Sequence, residues 1–215
     1  MTAANILGEA LKDTFKKEQI PNVVVLGIPR GGVVTADIVA RKLSAPAFDI
    51  VIPRKLTDPD NKEQAIGGIM EDGTTYLDEQ LIRDFQISSE YLEKEKSYQI
   101  EEIKRRTSLF LGDALTREHN FENKIVILVD DGAATGATVI AAARSIRKQF
   151  RPKRLIIALP IAPKDTVILL RQEADTIEVV ISPSSYFHSV GQYYQDFNPV
   201  ADGQVVAIIQ NRSLR

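Results

Sequence analysis

The sequence of 215 residues contains no cysteine and only two histidines, which stand far apart in the chain. The lack of cysteine excludes disulfides, thiolate metal sites and a cysteine nucleophile, and it is compatible with a reducing cytosol. The two histidines are too distant in sequence to form a local metal-binding motif. Sulfur chemistry is therefore excluded as the basis of function, and a histidine metal site is disfavoured.

The sequence also lacks a surplus of charge, because 27 Lys and Arg residues stand against 29 Asp and Glu residues and the net charge is -2. The surface as a whole should not attract nucleic acid or anionic lipid, so we predict neither as a partner. No apolar run approaches membrane-spanning length, and the first residues lack the pattern of a secretion signal. We expect a cytoplasmic protein that binds any anionic ligand through local groups.

Short apolar runs alternate with amphipathic stretches along most of the chain, and 44% hydrophobic content suffices for a substantial core. The uninterrupted run at residues 23–28 is typical of a strand that is covered on both faces. The other predicted strands are residues 48–53, 125–129, 155–160 and 177–181. This alternation predicts an α/β fold, with a mostly parallel sheet flanked by helices, in a single domain of residues 1–215.

Two segments do not fit the alternation of apolar runs with amphipathic stretches. Residues 54–75 are rich in Asp, Gly, Asn and Lys with little periodicity, and such a long connection in a compact domain is often functional. We predict that this segment is a flexible lid. Residues 182–198 follow the last predicted strand and contain Tyr, Phe, Ser and Gly, so we predict a small C-terminal hood there. The mixed charges of residues 93–106 indicate a solvated helical face or an oligomer contact.

The stretch ILVDDGAATGAT, residues 127–138, joins a predicted strand to a predicted helix through two carboxylates and a loop of small residues. Ligands of open α/β sheets bind beyond the carboxyl ends of the strands, where Asp130 and Asp131 are expected. The loop amides and the helix dipole suit a phosphate, and Thr135 and Thr138 can add hydroxyl donors. The carboxylates suit sugar hydroxyls or a hydrated Mg²⁺. A sugar phosphate therefore fits both parts of the motif.

The segment VDDGAATGAT resembles the phosphoribosyl pyrophosphate (PRPP) binding motif of type I phosphoribosyltransferases. The resemblance implies that the acidic pair holds the ribose hydroxyls and that the loop holds the 5′-phosphate. It also implies Mg²⁺ as a cofactor, which Asp130 and Asp131 would hold indirectly, through water or ribose hydroxyls. The PRPP-binding residues implied here are Asp130, Asp131, Gly132, Ala133, Ala134, Thr135, Gly136, Ala137 and Thr138.

A second motif, GIPRGG at residues 27–32, also follows a predicted strand and precedes a predicted helix. Arg30 can present a fixed charge to an anion, and Gly31 and Gly32 can present exposed amides. By resemblance this is the loop that binds the diphosphate of PRPP, with a cis peptide bond between Arg30 and Gly31. In the predicted lid, Arg54, Lys55 and Lys62 are candidates to neutralise the leaving diphosphate. The residues to which we assign catalytic roles are Arg30, Lys55, Asp130 and Asp131.

The motifs PRGG, PRKL, AIGG, VDDGAATGAT and SVGQYYQDF occur in this order and resemble a group of predicted phosphoribosyltransferases whose substrate is unassigned. The expected reaction is transfer of the 5-phosphoribosyl group from PRPP to a nitrogen acceptor, a nucleobase or related heterocycle, with release of diphosphate. Ala134 stands where enzymes for 6-oxopurines carry an aspartate that acts near the purine N7. Hypoxanthine and guanine are therefore disfavoured as acceptors.

The acceptor needs a binding surface of its own, because the two motifs account only for the sugar, the 5′-phosphate and the diphosphate. An aromatic face with a few backbone polar groups is common in such pockets. We assign acceptor binding in the hood to Phe187, Val190, Gly191 and Tyr193, with Phe187 as the first candidate for stacking and Tyr193 as the second.

Two alternatives to this enzyme stay open. The first is a PRPP-sensing regulator on the same fold that does not catalyse transfer, although the near-neutral charge without a basic tract counts against control of nucleic acid. The second is an unrelated α/β nucleotide-binding protein, which is disfavoured because neither G-x-G-x-x-G nor G-x-x-x-x-G-K-[ST] occurs. We also predict that the protein forms a homodimer.

Overall fold

The structure is a computed structural model that describes residues 2–15, 17–112 and 121–213. The strands in these residues are β1 (Val23–Gly27), β2 (Ala47–Ile50), β3 (Arg54–Thr57), β4 (Ala65–Ile69), β5 (Thr75–Leu77), β6 (Ile125–Val129), β7 (Arg154–Ile161) and β8 (Thr176–Ile181). The helices are α1 (Ala3–Thr14), α2 (Gly31–Leu43), α3 (Glu79–Asp84), α4 (Ser89–Leu111), α5 (Ala137–Phe150), α6 (Lys164–Leu170) and α7 (Asp202–Ser213). None of the described helices is both long and apolar enough to cross a membrane.

Five of the strands form a parallel sheet in the order β2-β1-β6-β7-β8. The sequence VVVLG of β1 and IVILV of β6 is buried at every position, as expected for central strands with helices on both faces. The predicted α/β fold with a mostly parallel sheet is confirmed. The predicted strands differ from these five by no more than three residues at either end.

Alternate residues of the central strands pack into two hydrophobic layers, one on each face of the sheet. One layer joins Val24, Leu26, Val126 and Leu128 to Val139, Ile140 and Ile146 of α5. The other joins Val23, Val25, Ile125 and Ile127 to Leu7 and Leu11 of α1 and to Val39 of α2. A fully buried side chain of this kind contributes about 1.5–3 kcal/mol. The sheet is therefore a rigid support for the loops at its carboxyl edge.

Strands β3, β4 and β5 form a separate antiparallel sheet from the segment that we expected to be irregular. The expectation of a connection without regular structure across residues 54–75 is therefore wrong. The small sheet packs on the first turn of α5, where a Cβ atom at Gly68 would collide with the carbonyl of Ala137. Only a residue without a side chain allows this close approach of two backbones. Whether the segment moves as a lid stays a prediction.

Helix α4 packs against the small sheet, helix α7 packs against α4 and α2, and both extend the core beyond the main sheet. Their contact forms a third hydrophobic cluster that includes Leu56, Ile66, Ile103, Phe110, Val205 and Ile209. Ser88 caps α4, since its hydroxyl accepts a hydrogen bond from the Tyr91 amide at 3.1 Å. Helices α3 and α7 were not predicted from the sequence. Helix α3 has only six residues, and the apolar residues of α7 form one contiguous run, VVAII, without the spacing of an amphipathic helix.

Helix α7 is fixed to α2 by Arg212. Its guanidinium donates to the Asp37 carboxylate at 2.7 Å and to the Asp37 carbonyl at 2.6 Å. At the other end of α7, Asp202 forms an ion pair with Arg30, with 3.5 Å between Nη1 and Oδ1. The residues just before α7 are therefore held close to the start of α2.

The predicted hood, residues 182–198, contains a short 3₁₀ helix at Val190–Tyr193 and otherwise irregular backbone. Two aromatic pairs organise it. Phe187 and Tyr193 stack with ring centroids 5.8 Å apart, and Tyr194 and Phe197 meet at 5.0 Å. The Tyr194 hydroxyl donates a hydrogen bond to the Asp131 carbonyl at 2.6 Å. This bond attaches the segment to the acidic motif at the end of β6.

Candidate functional site

The two sequence motifs meet because β1 and β6 are neighbours in the main sheet. The chain leaves β1 toward β2 on one side and leaves β6 toward β7 on the other, so the strand order reverses between them. Such a reversal opens a crevice at the carboxyl ends of the strands, where ligands of α/β proteins bind. Gly31 and Gly32 at the start of α2 therefore face Asp130 and Asp131 after β6.

The approach of the motifs is close enough to require glycine. A Cβ atom at Gly32 would lie 2.6 Å from Oδ1 of Asp130 and 2.7 Å from its Cα. A Cβ atom at Gly31 would overlap the carboxylate of Asp131. The two glycines therefore keep the backbone of one motif in contact with the carboxylates of the other.

The carboxylates of Asp130 and Asp131 form a coupled acidic pair. Burial raises the pKa of Asp130 well above its usual value, and the negative charge of Asp131 raises it further. Burial also raises the pKa of Asp131. The Asp130 carboxylate accepts a hydrogen bond from the Asp131 amide at 2.9 Å, which offsets part of this effect. A ligand that brings hydroxyl donors or a cation would stabilise the charged form of the pair.

The loop between Asp131 and α5 presents backbone amides at its tip. Its base is fixed, because the Ala133 amide donates to the Ile161 carbonyl at 3.0 Å and the Thr166 hydroxyl donates to the Ala134 carbonyl. Gly136 has φ of 76°, a left-handed conformation that glycine adopts without strain. Helix α5 begins at the next residue, and the amides of its first turn have no acceptor within the helix. Free amides at a helix start suit an anion, and phosphate binding by this loop stays a prediction.

The loop after β1 brings Arg30 to the same crevice. Its cis peptide bond joins Pro29 to Arg30, so the predicted position between Arg30 and Gly31 is wrong by one residue. Resemblance supplied the expectation of a cis bond, but local sequence does not determine which of two adjacent bonds adopts it. Arg30 reaches the cleft at the start of α2, next to Asp131 and to the residues before α7.

Residues of both motifs line one cleft of about 530 Å³, whereas Gly32 and residues 133–137 are not among its lining residues. Asp130, Asp131, Gly132 and Thr138 form its acidic and phosphate-loop side. The cleft is also lined by four basic residues, Arg30, Arg54, Lys55 and Arg106, which we call the basic wall. Three of these four basic residues were predicted, whereas Arg106 was assigned to a solvated helical face. Lys62 is outside the cleft lining and donates a hydrogen bond to the Tyr91 hydroxyl at 2.8 Å.

The predicted acceptor residues divide between two environments. Val190 packs on the acidic motif, since a Cβ atom at Gly132 would lie 2.5 Å from its Cγ1, and Gly191 lies against the ring of Phe197. The stacked rings of Phe187 and Tyr193 are absent from the described lining of the cleft, whereas Phe197 is part of it. Phe197 ends the quoted motif SVGQYYQDF and belongs to the predicted hood, but it was not among the four residues assigned to acceptor binding. The aromatic ring of Phe197 thus lines the cleft, and acceptor binding stays a prediction.

The geometry defines a class: an α/β protein with an acidic pair, a phosphate loop and a basic wall around one cleft at a strand-order reversal. The sequence profile of the phosphoribosyl transferase domain matches residues 2–196. The chain belongs to the phosphoribosyl transferase family.

Relatives support this assignment over most of the chain. A curated Mycobacterium tuberculosis protein that is named as a candidate phosphoribosyl transferase is 36% identical over 189 residues, which are 87% of this chain and 41% of that protein. The chain thus spans less than half the length of this relative. The solved structure of TT1426 from Thermus thermophilus is 35% identical, with a TM-score of 0.75 over 97% of this chain and 95% of that one.

Proposed function

We propose that the chain transfers the 5-phosphoribosyl group of PRPP to a nitrogen acceptor, a nucleobase or related heterocycle, and releases diphosphate. One observation carries this proposal: a single cleft has the acidic pair Asp130 and Asp131 between the phosphate loop at α5 and a basic wall. These three parts match the ribose, the 5′-phosphate and the diphosphate of one PRPP molecule. Membership of the family supports the same ligand.

In this proposal each side chain of the cleft has one task. The ribose hydroxyls donate hydrogen bonds to Asp130 and Asp131, and the 5′-phosphate accepts from the amides of the first turn of α5. The sugar is then held at two points, which fixes C1 relative to the basic wall. Arg30 and Lys55 offset the negative charge that develops on diphosphate as the bond to C1 breaks. Stabilisation of developing charge by fixed groups is commonly a large part of catalysis.

Magnesium is the cofactor that we propose. The residues present fit an ion that the protein and the substrate hold jointly. No group of three or more acidic, histidine or cysteine residues that could hold a metal occurs in the described part of the chain. Mg²⁺ commonly keeps several waters and uses one or two carboxylates together with substrate phosphates. Asp130 and Asp131 would hold it through water or ribose hydroxyls. When bound, it would neutralise part of the diphosphate charge.

For the acceptor we retain the hood and add Phe197 to Phe187, Val190, Gly191 and Tyr193. Phe197 lines the cleft and is 47% exposed, so one of its faces is accessible to a planar ring. Tyr194 packs against Phe197 and is attached through its hydroxyl to Asp131. A base stacked on Phe197 would therefore be positioned relative to the ribose by a short chain of contacts.

We predict that binding of PRPP with Mg²⁺ releases protons. The raised pKa of Asp130 means that the free protein retains a proton there over a pH range above the ordinary carboxylate value of about 3.9. Hydroxyl donors and a cation lower that pKa, so the bound protein loses the proton within this range. Calorimetry in buffers of different ionisation enthalpy should show proton release between the lowered pKa of the bound form and the raised pKa of the free form, and the release should vanish above the latter. Release that is unchanged in Asp130→Asn would contradict this assignment.

The proposed reaction can be tested by a screen of nucleobases and related heterocycles with PRPP and Mg²⁺, in which diphosphate release is followed. We expect release that depends on one acceptor class and stops when Mg²⁺ is chelated. PRPP with Mg²⁺ should also raise the thermal unfolding midpoint, because a ligand that binds the native state stabilises it. Absence of binding by both melting and calorimetry would refute the proposal.

The same screen distinguishes the sensor alternative. If PRPP raises the unfolding midpoint but no acceptor produces diphosphate, the chain is better explained as a PRPP-sensing regulator. The predictions of a homodimer and of a cytoplasmic location can be tested separately, by measurement of mass in solution and by fractionation of cells.

A further inference from the structure

Arg106 differs from the other charged residues of its helix. Most charges on α4 form local ion pairs with spacings of three or four residues, such as Lys94 with Glu90 and Arg105 with Glu102. These pairs are exposed and stabilise the helix by only about 0.2–0.5 kcal/mol each. The Nε of Arg106, in contrast, is buried without a hydrogen-bond partner within the described residues. A buried donor without an acceptor requires an explanation.

The surroundings of Arg106 are positively charged. It lines the cleft together with Arg30, Arg54 and Lys55. Burial lowers the pKa of Arg106, and the neighbouring charges of Arg54 and Arg30 lower it further. Like charges at such short range are unfavourable unless an anion joins them.

The acidic residues near Arg106 do not neutralise the positive charge of its surroundings. Glu102 is engaged by Arg105 through two hydrogen bonds of 3.0 and 3.1 Å. Asp202 is the partner of Arg30 at 3.5 Å, and this pair is exposed to solvent on both sides. Arg30 and Lys55 of the basic wall have acidic partners, Asp202 and Glu63, and both of these ion pairs are exposed. Within the described residues, Arg54 and Arg106 form no ion pair of this kind, because Arg54 donates to the neutral side chain of Gln99.

A buried polar chain holds the wall in place. The Arg54 guanidinium donates to the Gln99 side chain at 2.8 Å, and Gln99 donates to the Glu95 carboxylate at 3.0 Å. Glu95 also accepts from the Thr57 hydroxyl at 3.2 Å, which joins α4 to β3. Gln99 and Arg106 are separated by about two helical turns and so share one face of α4. The two arginines are thus presented to the cleft by one fixed unit.

We propose that Arg106 binds a phosphate group of the diphosphate moiety of PRPP, together with Arg54. This inference rests on the proposed function for the identity of the ligand. The planar guanidinium offers several N–H groups in a fixed fork, a geometry that matches phosphate oxygens. The excess positive charge of the wall would then be neutralised. Helix α4, which lies outside every motif that the sequence offered, would form part of the binding site.

The test compares Arg106→Gln with Arg105→Gln, a matched control on the preceding residue of the same helix, whose side chain pairs with Glu102. Calorimetry measures binding of inorganic diphosphate with Mg²⁺, of PRPP with Mg²⁺, and of ribose 5-phosphate. For Arg106→Gln we expect affinity for diphosphate and PRPP to fall by about tenfold to a hundredfold, the range for loss of a hydrogen bond to a charged group. Ribose 5-phosphate should bind as before, and Arg105→Gln should leave all three affinities unchanged.

Several results would overturn the inference. These are unchanged diphosphate affinity in Arg106→Gln, an equal loss for ribose 5-phosphate, or a wild-type chain that does not bind diphosphate. Arg106→Lys serves as a check that a loss of affinity does not come from misfolding. This variant retains the positive charge, so it should recover part of the diphosphate affinity. Diphosphate binding is measured without turnover, so it is independent of the transfer reaction. If the wild-type chain binds diphosphate but transfers nothing, only the proposed transfer is refuted.

Discussion

Replacement of Asp131 or Asp130 by asparagine should lower phosphoribosyl transfer by about a hundredfold or more, the typical effect of losing one preorganised polar contact in an active site. An amide has one acceptor oxygen and no charge, so it cannot take over the proposed tasks of the carboxylate, which are to accept from the ribose hydroxyls and to attract hydrated Mg²⁺. Both residues lie in the crevice beyond the end of β6 and outside the hydrophobic layers. The loss should therefore appear in activity and in PRPP affinity.

Whereas activity should fall in Asp130→Asn, the free energy of unfolding should not fall at high pH. A carboxyl group whose pKa is raised by folding stabilises the native state while it is protonated, and this contribution is lost as pH rises through the folded pKa. Above that pH the neutral amide removes a buried charge, so the free energy of unfolding should be equal or higher. Denaturant titrations at about pH 8 and about pH 5 measure this difference. Unfolding of both variants would instead show that the pair is a structural element.

The second large effect is expected for Gly32→Ala, which should lower both stability and PRPP affinity. Alanine is favoured over glycine in a helix by about 0.5–1 kcal/mol. Here, however, the new Cβ would lie 2.7 Å from the Cα of Asp130 and 3.0 Å from the carbonyl oxygen of Val129, so backbone must move. Overpacking of this kind costs about 1–3 kcal/mol. The cost of the clash should exceed the gain in helix propensity, so the free energy of unfolding should fall. The acidic motif should also be displaced from the loop after β1.

The matched control is Gly203→Ala in α7, where an added Cβ meets no atom within 4 Å. This variant should retain PRPP affinity and keep or slightly raise the unfolding midpoint. Thermal melts with and without PRPP compare the two, and each kcal/mol corresponds to about 2–4 °C in a chain of this size. If Gly32→Ala binds PRPP like the wild type, contact between the two motifs is not needed for the site.

The main sheet could be predicted from the sequence because its strands are doubly covered and therefore continuously apolar. The small sheet could not, since β4 has the sequence AIGGI, in which Gly67 and Gly68 carry no side chain that could show an alternation. Both glycines are required by close packing, against the Tyr76 carbonyl and against α5, and this reason becomes visible only in three dimensions. Helix α3 was missed because it has six residues and no fully buried side chain.

The acidic pair, the phosphate loop and Arg30 could be predicted because each is contained in a short contiguous motif. Arg106 could not, because its surroundings are assembled from α4, β3 and the loop after β1. In the sequence it is one of several charges on a helix, and local ion pairing is the ordinary explanation for such residues. Phe197 was within reach, since it belongs to the same short motif as Tyr193 and Tyr194.

The packing of Gly68 on α5 has a consequence for the timescale of motion in this protein. A free loop moves in nanoseconds to microseconds, whereas a hydrogen-bonded sheet opens through slower local unfolding. Arg54 and Lys55 lie on β3, which pairs with the strand that contacts the first turn of α5. We therefore expect the turn at residues 59–64 to move rapidly and the two basic residues to move only with the helix start. We therefore expect displacements at the two ends of the cleft to be coupled, because β3, β4 and β5 all pack on α5 and the contact at Gly68 lies at the first turn of that helix.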